Sequence, residues 1–206
     1  MSEIIANVAG TDVSRETIIK LQSLSDLISK WTKTINLIAP ASVEDIWERH
    51  IVDSAQLFHL AGENWNHWID LGSGGGLPGL VIAVLDQKSR PITLVESDTR
   101  KCLFLTAVRR QLGLNVVVLN ERIETMSANP ADILSARALA PLPKLLRYAD
   151  RYLSPMGRAL LPKGEKYQEE LDAAHKSWQI NYKSHPSVTN PNARILEISR
   201  IAFREP

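Results

Sequence analysis

Hydrophobic and polar positions follow a helical spacing over the first part of the chain. Apolar residues recur every three or four positions between Ser14 and Trp31, and this spacing predicts an amphipathic helix. Ser14 suits the N-cap because its hydroxyl can accept a hydrogen bond from the first turn. The helix is expected to end before Pro40, since proline restricts the residue that precedes it. A second helix is predicted from Ser42 to Leu60.

A different pattern follows the loop at 61–66, where short apolar runs alternate with amphipathic stretches. The short runs predict buried strands, and the stretches between them predict helices. Strands are expected at 67–71, 91–97, 115–120, 131–139 and 157–164, with helices at 77–85, 98–112, 142–152 and 165–175. Two final strands, at 178–188 and 194–203, are joined by a loop too short for a crossover helix, so we expect an antiparallel pair.

Strands that alternate with helices predict an α/β fold with a mostly parallel sheet, helices on both faces and a C-terminal antiparallel strand pair. Residues 1–64 are predicted to form an N-terminal helical extension packed on the core, and residues 65–206 the α/β domain. The length of 206 residues suits one domain with a small extension. Ligands of such sheets bind outside the carboxyl ends of the strands, at the point where the strand order reverses.

Composition narrows the class of protein without defining its chemistry. Apolar residues make up 44% of the chain, and no apolar run is long enough to span a membrane. Cys102 is the only cysteine, which excludes an internal disulfide framework and a multi-cysteine metal site. The first residues lack the pattern of a secretory signal, so a cytoplasmic protein without membrane contact is expected. A net charge of +1 neither requires nor forbids a nucleic-acid partner.

A glycine-rich stretch, "DLGSGGGLPG" at 70–79, follows the first strand of the predicted domain. Gly74, Gly76 and Gly79 match the G-x-G-x-x-G pattern of dinucleotide-binding loops. Counted instead from Asp70 and Gly72, the acid followed by G-x-G-x-G resembles the first motif of class I S-adenosylmethionine-dependent methyltransferases. A tight packing turn without a ligand is a third interpretation.

The context of the loop favours the methyltransferase interpretation. A pyrophosphate-binding loop begins directly at the strand end, whereas counting from Gly74 leaves "LGS" in between. S-adenosylmethionine carries an ammonium group and no phosphate, so Asp70 suits it as a direct or water-mediated partner. Glu96 ends the next predicted strand and fits both interpretations, because a carboxylate there can accept both ribose hydroxyls of an adenosine. No G-K-[ST] follows the glycines, which argues against a nucleoside-triphosphate loop.

Several short motifs, in order along the chain, resemble the bacterial 16S ribosomal RNA guanine-N7 methyltransferases, also called the glucose-inhibited division protein B family. The resemblance covers nearly the full length and rests on "NLIA" (36–39), "ERHIVDS" (48–54), "DLGSGGGLPG" (70–79), "VESDTRKCLFL" (95–105), "ERIE" (121–124), "SARALAPL" (135–142) and "LPKG" (161–164). It implies a class I, Rossmann-like methyltransferase domain that uses S-adenosyl-L-methionine to methylate N7 of a specific guanine. The implied partner is 16S ribosomal RNA or a small-subunit assembly, and we expect a monomer.

The resemblance also assigns residues to the cofactor. It implies that Gly72 and Leu77 line the cofactor and that Arg137 closes the pocket. The adenine would meet the backbone of Ile123 and the side chain of Glu124, which follow a predicted strand at the same edge of the sheet. The predicted cofactor set is completed by residues singled out from the loop pattern itself: Asp70, Gly74, Gly76 and Glu96.

Methyl transfer to guanine N7 needs little acid–base help, because N7 carries a lone pair and no proton at neutral pH. The predicted mechanism is alignment and electrostatics without a general base. Arg137 and Arg122 are the predicted orienting residues, although a salt bridge to an edge carboxylate is the structural alternative for Arg137. His50 and Asp53 lie one helical turn apart, but two ligands are too few for a metal site, and no metal is predicted.

RNA contacts are expected from basic residues near the predicted site. Lys144, Arg147 and Lys163 belong to a group of cations that follows the fourth and fifth strands of the predicted domain. A solvated basic face without a ligand would explain the same residues, whereas phosphate contacts would make affinity fall steeply with salt. The family resemblance adds the residues that form a wall between the N-terminal helices and the site: Asn36, His50 and Asp53.

Three rival functions stay open at this point. A nicotinamide-dependent oxidoreductase would use the glycine loop for a dinucleotide, and equilibrium dialysis against both cofactors would separate it from a methyltransferase. A non-enzymatic module would keep the pocket only as a scaffold. A methyltransferase that acts on small molecules or proteins would not explain the group of basic residues near the predicted site.

Overall fold

The computed structural model describes residues 4–127 and 129–204. Its strands are β1 (Ile4–Val8), β2 (Thr11–Ser14), β3 (Trp68–Leu71), β4 (Ile92–Glu96), β5 (Val116–Asn120), β6 (Ala131–Ser135), β7 (Leu153–Lys163), β8 (Trp178–Pro186) and β9 (Arg194–Phe203). Its α-helices are α1 (Arg15–Thr32), α2 (Asp53–Ala61), α3 (Gly79–Leu85), α4 (Thr99–Leu112), α5 (Leu142–Tyr152) and α6 (Tyr167–His175). Within those ranges, none of the helices combines the length and the hydropathy that a membrane crossing requires.

Strands β3 to β9 form one sheet in the order β5-β4-β3-β6-β7-β9-β8. The pairs from β5 to β7 are parallel, whereas β9 runs antiparallel to both β7 and β8. The chain moves outward from β3 to β4 and β5, then returns to β6 on the other side of β3, so the switch point lies between β3 and β6. The predicted fold class is confirmed, including the antiparallel strands at the C-terminal end.

The N-terminal extension contains a β-hairpin that the sequence interpretation missed. Strands β1 and β2 pair across Ala9 and Gly10, whose φ values are +49° and +87°. Two positive φ values in a two-residue loop are typical of type I′ hairpins. Ala-Gly is a weaker signal for this turn than Asn-Gly, because alanine carries a Cβ that disfavours positive φ. The expected all-helical extension is corrected accordingly.

The helix predicted from Ser42 to Leu60 is divided into three elements. A 3₁₀ turn covers Pro40–Ser42, a π-helical segment covers Trp47–Val52, and α2 begins only at Asp53. The Asp53 amide donates to the carbonyls of Glu48 and His50, so the backbone is wider there than in an α-helix. Such π segments occur often at functional sites.

The extension shares its hydrophobic core with the sheet. Leu21 and Leu24 of α1 belong to one buried cluster with Leu80 of α3 and Phe104 of α4. Full burial of such side chains contributes roughly 1.5–3 kcal/mol each. A second cluster joins α5 and α6 to side chains on the alternate positions of the strands, and hence to the opposite sheet face. The boundary at residue 64 stays a sequence-based interpretation, because the core continues across it.

Candidate cofactor and substrate site

The glycine loop lies at the switch point, between β3 and α3. Gly72, Gly74 and Gly76 have φ values of +63°, +54° and +78°, in the left-handed region that favours glycine. Gly79 has no such φ; a Cβ there would lie 2.9 Å from Oδ2 of Asp70, so close packing explains this glycine. Positive φ values therefore fall on the three glycines of the G-x-G-x-G pattern that begins at Gly72.

Glu96 holds this loop at the end of β4. Glu96 is 8% exposed, and its carboxylate accepts hydrogen bonds from the amides of Gly74 at 2.9 Å and Asp98 at 2.8 Å. Each carboxylate oxygen keeps a further lone pair. A Cβ on Gly74 would meet only the Gly72 carbonyl, at 3.8 Å, so there is open space above the loop. Open space beside a carboxylate fits the hydroxyl donors of a ribose.

Asp70 lies beneath the loop. It is 1% exposed, and its carboxylate accepts from the Ser135 hydroxyl at 2.6 Å and the Gly79 amide at 3.3 Å. Burial raises the pKa of Asp70 to about 6. Because Asp70 occupies the amide at the start of α3, that helix end is not free for a phosphate. These contacts support the loop from below, and a contact between Asp70 and the ammonium of a cofactor stays a prediction.

The segment after β5 is held by α5. The Tyr152 hydroxyl donates to the Ile123 carbonyl, and the Tyr148 hydroxyl donates to the Glu124 carboxylate at 2.5 Å. Lys144 forms an ion pair with Glu124 at 3.3 Å. The Tyr148 hydrogen bond, followed by backbone and Lys144 interactions, lowers the pKa of Glu124 to about 2. Ile123 and Glu124 are thus held at the same sheet edge as the buried Leu77, and their contact with an adenine stays a prediction.

Arg137 follows β6 and connects the sheet edge to the extension. Its Nη1 donates to the Asp53 carboxylate at 3.3 Å and to the Arg49 carbonyl at 3.4 Å. Its Nη2 lies 3.0 Å from Nδ1 of His50. The Asp53 carboxylate also accepts from the Thr189 hydroxyl at 2.9 Å. The predicted alternative, a salt bridge to a carboxylate, is therefore present, and Asp53 is engaged in it.

His50 is not placed as a base. Burial, followed by the charges of Arg137 and Arg49, lowers the pKa of His50 to about 4. Its Nε2 lies 2.8 Å from the Ser42 hydroxyl. The ring is therefore neutral near pH 7, and both of its nitrogens have hydrogen-bond partners in the protein.

A cavity of about 1170 Å³ opens beside Arg137. Its walls come from the π-helical segment, the loop after β6, the end of β7, α6 and the loop between β8 and β9. The loop after β6 also covers the glycines, since a Cβ on Gly72 would lie 2.6 Å from Leu139. Arg137 and Leu139 both line the cavity, so the space for a cofactor and the cavity share one wall.

The residues predicted to contact RNA differ in their surroundings. Lys163 is 9% exposed and donates to the Glu170 carboxylate at 2.7 Å and to the Ala140 carbonyl at 3.1 Å. It therefore connects α6 to the loop after β6 within the cavity wall. A phosphate contact from Lys163 would require breaking this pair. Arg147 is exposed on α5, and the side chains of Arg122 and Asn36 are exposed as well.

Several residues of the cavity had no role in the sequence interpretation. Arg49, Thr189 and Arg194 line it, and Ser42 lies behind His50. Arg49 is adjacent to His50 in "ERHIVDS", which was the one available signal. Thr189 lies in a Pro- and Asn-containing loop that indicated only a turn.

The sheet order, the left-handed glycines and the carboxylate after β4 define a class I S-adenosylmethionine-dependent methyltransferase. Solved structures support this fold. A ribosomal protein L11 methylase from Lactobacillus delbrueckii subsp. bulgaricus aligns with a TM-score of 0.61 at 16% identity over 74% of this chain and 78% of that chain. Fibrillarin from Aeropyrum pernix, solved with S-adenosyl-L-methionine, aligns with a TM-score of 0.53 at 17% identity over 65% and 66%.

The chain belongs to the rRNA small subunit methyltransferase G family, whose sequence model matches residues 17–198. A protein named ribosomal RNA small subunit methyltransferase G from Ruegeria sp. (strain TM1040) is 46% identical over 193 residues, covering 92% of this chain and 94% of the relative. One of the same name from Cereibacter sphaeroides (strain ATCC 17025) is 47% identical over 194 residues, covering 93% of each. The predicted family, enzyme class and methyl donor are confirmed, and the oxidoreductase alternative is ruled out.

Proposed function

We propose that this protein transfers a methyl group from S-adenosylmethionine to N7 of a specific guanine in 16S ribosomal RNA. The observation that carries the proposal is the position of Arg137, on the wall shared by the glycine loop and the cavity. The relatives named ribosomal RNA small subunit methyltransferase G support the choice of substrate. The partner is 16S ribosomal RNA or a small-subunit assembly, and we propose a cytoplasmic location because that RNA is its substrate. We also propose that the protein acts as a monomer.

The chemistry suits a site without a base. Bound S-adenosylmethionine supplies a methyl group on a sulfonium, and N7 accepts it through an in-plane lone pair without losing a proton. Glu96 would bind ribose hydroxyls, and the segment at Ile123 and Glu124 would bind the adenine. Arg137 would orient guanine or a phosphate from the cavity side. His50 is neutral at working pH, which leaves alignment and electrostatics to provide the rate.

Cations around the cavity would bind the RNA backbone. Lys166 and Arg194 line the cavity, and Arg147 is exposed on neighbouring α5. Each phosphate contact releases counterions, so affinity for RNA should fall with salt. Arg122 is exposed beside the adenine segment and is proposed as a further orienting residue.

Product analysis tests this function. Ribosomal RNA that lacks the modification is incubated with the protein and isotope-labelled S-adenosylmethionine, then digested to nucleosides. We expect label in 7-methylguanosine from 16S RNA and none from 23S RNA. Naked 16S RNA and assembled small subunits, compared side by side, identify the preferred form. Label in another nucleoside, or in 23S RNA to the same extent, would contradict the proposal.

A further inference from the structure

The orientation of Arg137 depends on acceptors supplied by the N-terminal extension. A guanidinium has five N–H groups and no acceptor atom. Within the described ranges, its hydrogen bonds go to the Asp53 carboxylate, the Arg49 carbonyl and Nδ1 of His50. Three acceptors engage three N–H groups, and the two that remain, that of Nε among them, are available to a ligand. Loss of one acceptor would let the fork rotate.

The proton positions behind Arg137 follow from the hydrogen bonds themselves. Because an arginine nitrogen only donates, Nδ1 of His50 must accept and carries no proton. A neutral imidazole then has its proton on Nε2, which donates to the Ser42 hydroxyl at 2.8 Å. The hydroxyl in turn donates to the Ala39 carbonyl at 2.8 Å. At one end of this row of hydrogen bonds Arg137 can only donate, and at the other end the Ala39 carbonyl can only accept. Only the Nε2–H tautomer of His50 therefore satisfies every hydrogen bond in the row.

We propose that Ser42 and His50 form a positioning relay for methyl transfer, in which Ser42 holds the imidazole ring of His50 in place and His50 holds the guanidinium of Arg137 toward the cavity. The relay rests on the proposed function and adds two positioning residues to it. Of the three side chains, Arg137 lines the cavity, whereas Ser42 is 3% exposed and lies behind the wall. His50 is then a positioning residue and not the RNA contact that the sequence predicted.

The relay also connects the cofactor loop to the substrate side. Its terminal acceptor, Ala39, closes the "NLIA" motif, and Leu37 of that motif lies against the glycine loop. A Cβ on Gly75 would come within 3.3 Å of the Leu37 carbonyl. One short segment, 37–42, therefore contacts the loop and anchors Arg137. The charged groups that face His50 are Arg49 and Arg137, and Arg137 forms an ion pair with Asp53. A proton added to Nδ1 would therefore be repelled by two cations.

Nitrogen-15 spectra of the imidazole ring test the tautomer without any assay of activity. We expect wild-type His50 to show only the Nε2–H form near neutral pH. Ser42→Ala removes the acceptor of that proton, so the Nε2 signal should shift and its proton should exchange faster with solvent, while Arg137 keeps the tautomer unchanged. A wild-type spectrum with the Nδ1–H form, or an Nε2 signal in Ser42→Ala identical to that of wild type, would overturn the relay.

A matched pair of variants tests the consequence for catalysis. His50→Asn places a side-chain oxygen near the position of Nδ1, where it can still accept from Arg137. His50→Gln reaches only toward Ser42 and leaves Arg137 without this acceptor. A hydrogen bond to a charged group corresponds to roughly tenfold or more, so the single-turnover rate of His50→Gln should be at least about tenfold below that of His50→Asn. Equal rates, or the reverse order, would overturn the relay.

Two controls separate this inference from the proposed function. Melting curves of both variants should coincide, and if either variant fails to fold, the wild-type spectrum decides. Absence of methyl transfer by the wild-type protein would contradict the proposed function alone, because the tautomer spectra do not depend on RNA. Calorimetric affinity for S-adenosylmethionine in Ser42→Ala reports on the loop side, and we expect it to fall less than the rate.

Discussion

Glu96 has a structural and a ligand-binding task, and the two are linked. The carboxylate accepts the amides of Gly74 and Asp98 and faces the open space above the loop. We expect Glu96→Ala to weaken S-adenosylmethionine binding by roughly 1.5–3 kcal/mol, as for a charge-assisted hydrogen bond, and to lower the melting temperature because two amides lose their acceptor. Calorimetry and a melting curve measure both effects. Wild-type affinity in this variant would remove Glu96 from the site.

Gly74 and Gly75 are neighbours with different constraints. Gly74 has a φ of +54° and open space at its Cβ position, whereas Gly75 has no positive φ and lies against Leu37. Gly74→Val should weaken cofactor binding by about tenfold or more, because a strained φ costs of order 1–3 kcal/mol and the side chain fills the ligand space. Gly75→Ala serves as the matched control and should stay within about threefold of wild type. Comparable losses in the two variants would contradict this assignment of the loop.

The buried Asp70 and the half-buried His50 have pKa shifts of opposite sign. The pKa of His50 falls from 6.5 to about 4, and that of Asp70 rises from 3.8 to about 6. Between these values the unfolded chain binds more protons than the native protein at His50, so this contribution to stability is lost as pH falls. At Asp70 the native protein binds more protons, so that contribution grows as pH falls.

The opposite signs give a test by substitution. Relative to wild type, Asp70→Asn should lose stability on acidification from about pH 6.5 to 4, since only the His50 contribution then remains. His50→Asn should show the reverse trend, and denaturant unfolding at several pH values measures both. The methyl-transfer rate should show no loss near pH 6.5 that depends on His50. A rate loss there that disappears in His50→Asn would make His50 a base.

Helices and strands with strong hydrophobic periodicity and clear boundary residues were predicted reliably from the sequence. Helix α5 has the predicted bounds, and the two C-terminal strands pair as expected. The segment around Trp47–Val52 was predicted as regular helix because its apolar spacing is close to that of an α-helix. Its π geometry coincides with long-range contacts of His50 and Asp53 to Arg137, which local sequence does not report.

Helix α5 offers a test within one element. Tyr148→Phe removes the hydrogen bond to Glu124, and we expect the dissociation constant for S-adenosylmethionine to rise by about tenfold or more, since the acceptor is charged. Arg147→Ala, on the exposed side of the same helix, should leave cofactor affinity unchanged while it weakens RNA binding and reduces its salt dependence. Calorimetry with each ligand separates the two. An equal loss of cofactor affinity in both variants would indicate a general disturbance of α5.

For the whole molecule, the parts of the site differ in how far sequence could locate them. The cofactor residues follow successive strands, and parallel strands bring their carboxyl ends to one edge, so their proximity was predictable. The substrate wall joins distant segments instead: Arg137 contacts Asp53 across 84 positions, and Thr189 contacts the same carboxylate across 136. No local pattern encodes such pairs, which is why Ser42, Arg49 and Thr189 were missed.

Arg137 is the residue on which the extension, the glycine loop and the cavity converge. A purely structural ion pair near the surface is worth about 0–1 kcal/mol, so its loss would change melting slightly and leave turnover intact. An orienting role requires the planar fork, which a lysine lacks. Arg137→Ala and Arg137→Lys therefore distinguish the two roles better than any other pair of variants.

The most direct test is the single-turnover rate of methyl transfer to 16S ribosomal RNA at saturating S-adenosylmethionine, measured for wild type and both Arg137 variants beside their melting curves. We expect the alanine variant to lose far more rate than stability, by about a hundredfold if two charge-assisted hydrogen bonds are lost, and the lysine variant to recover little of that rate. Full activity in Arg137→Ala would remove Arg137 from the site and contradict the account of a shared wall between cofactor and RNA.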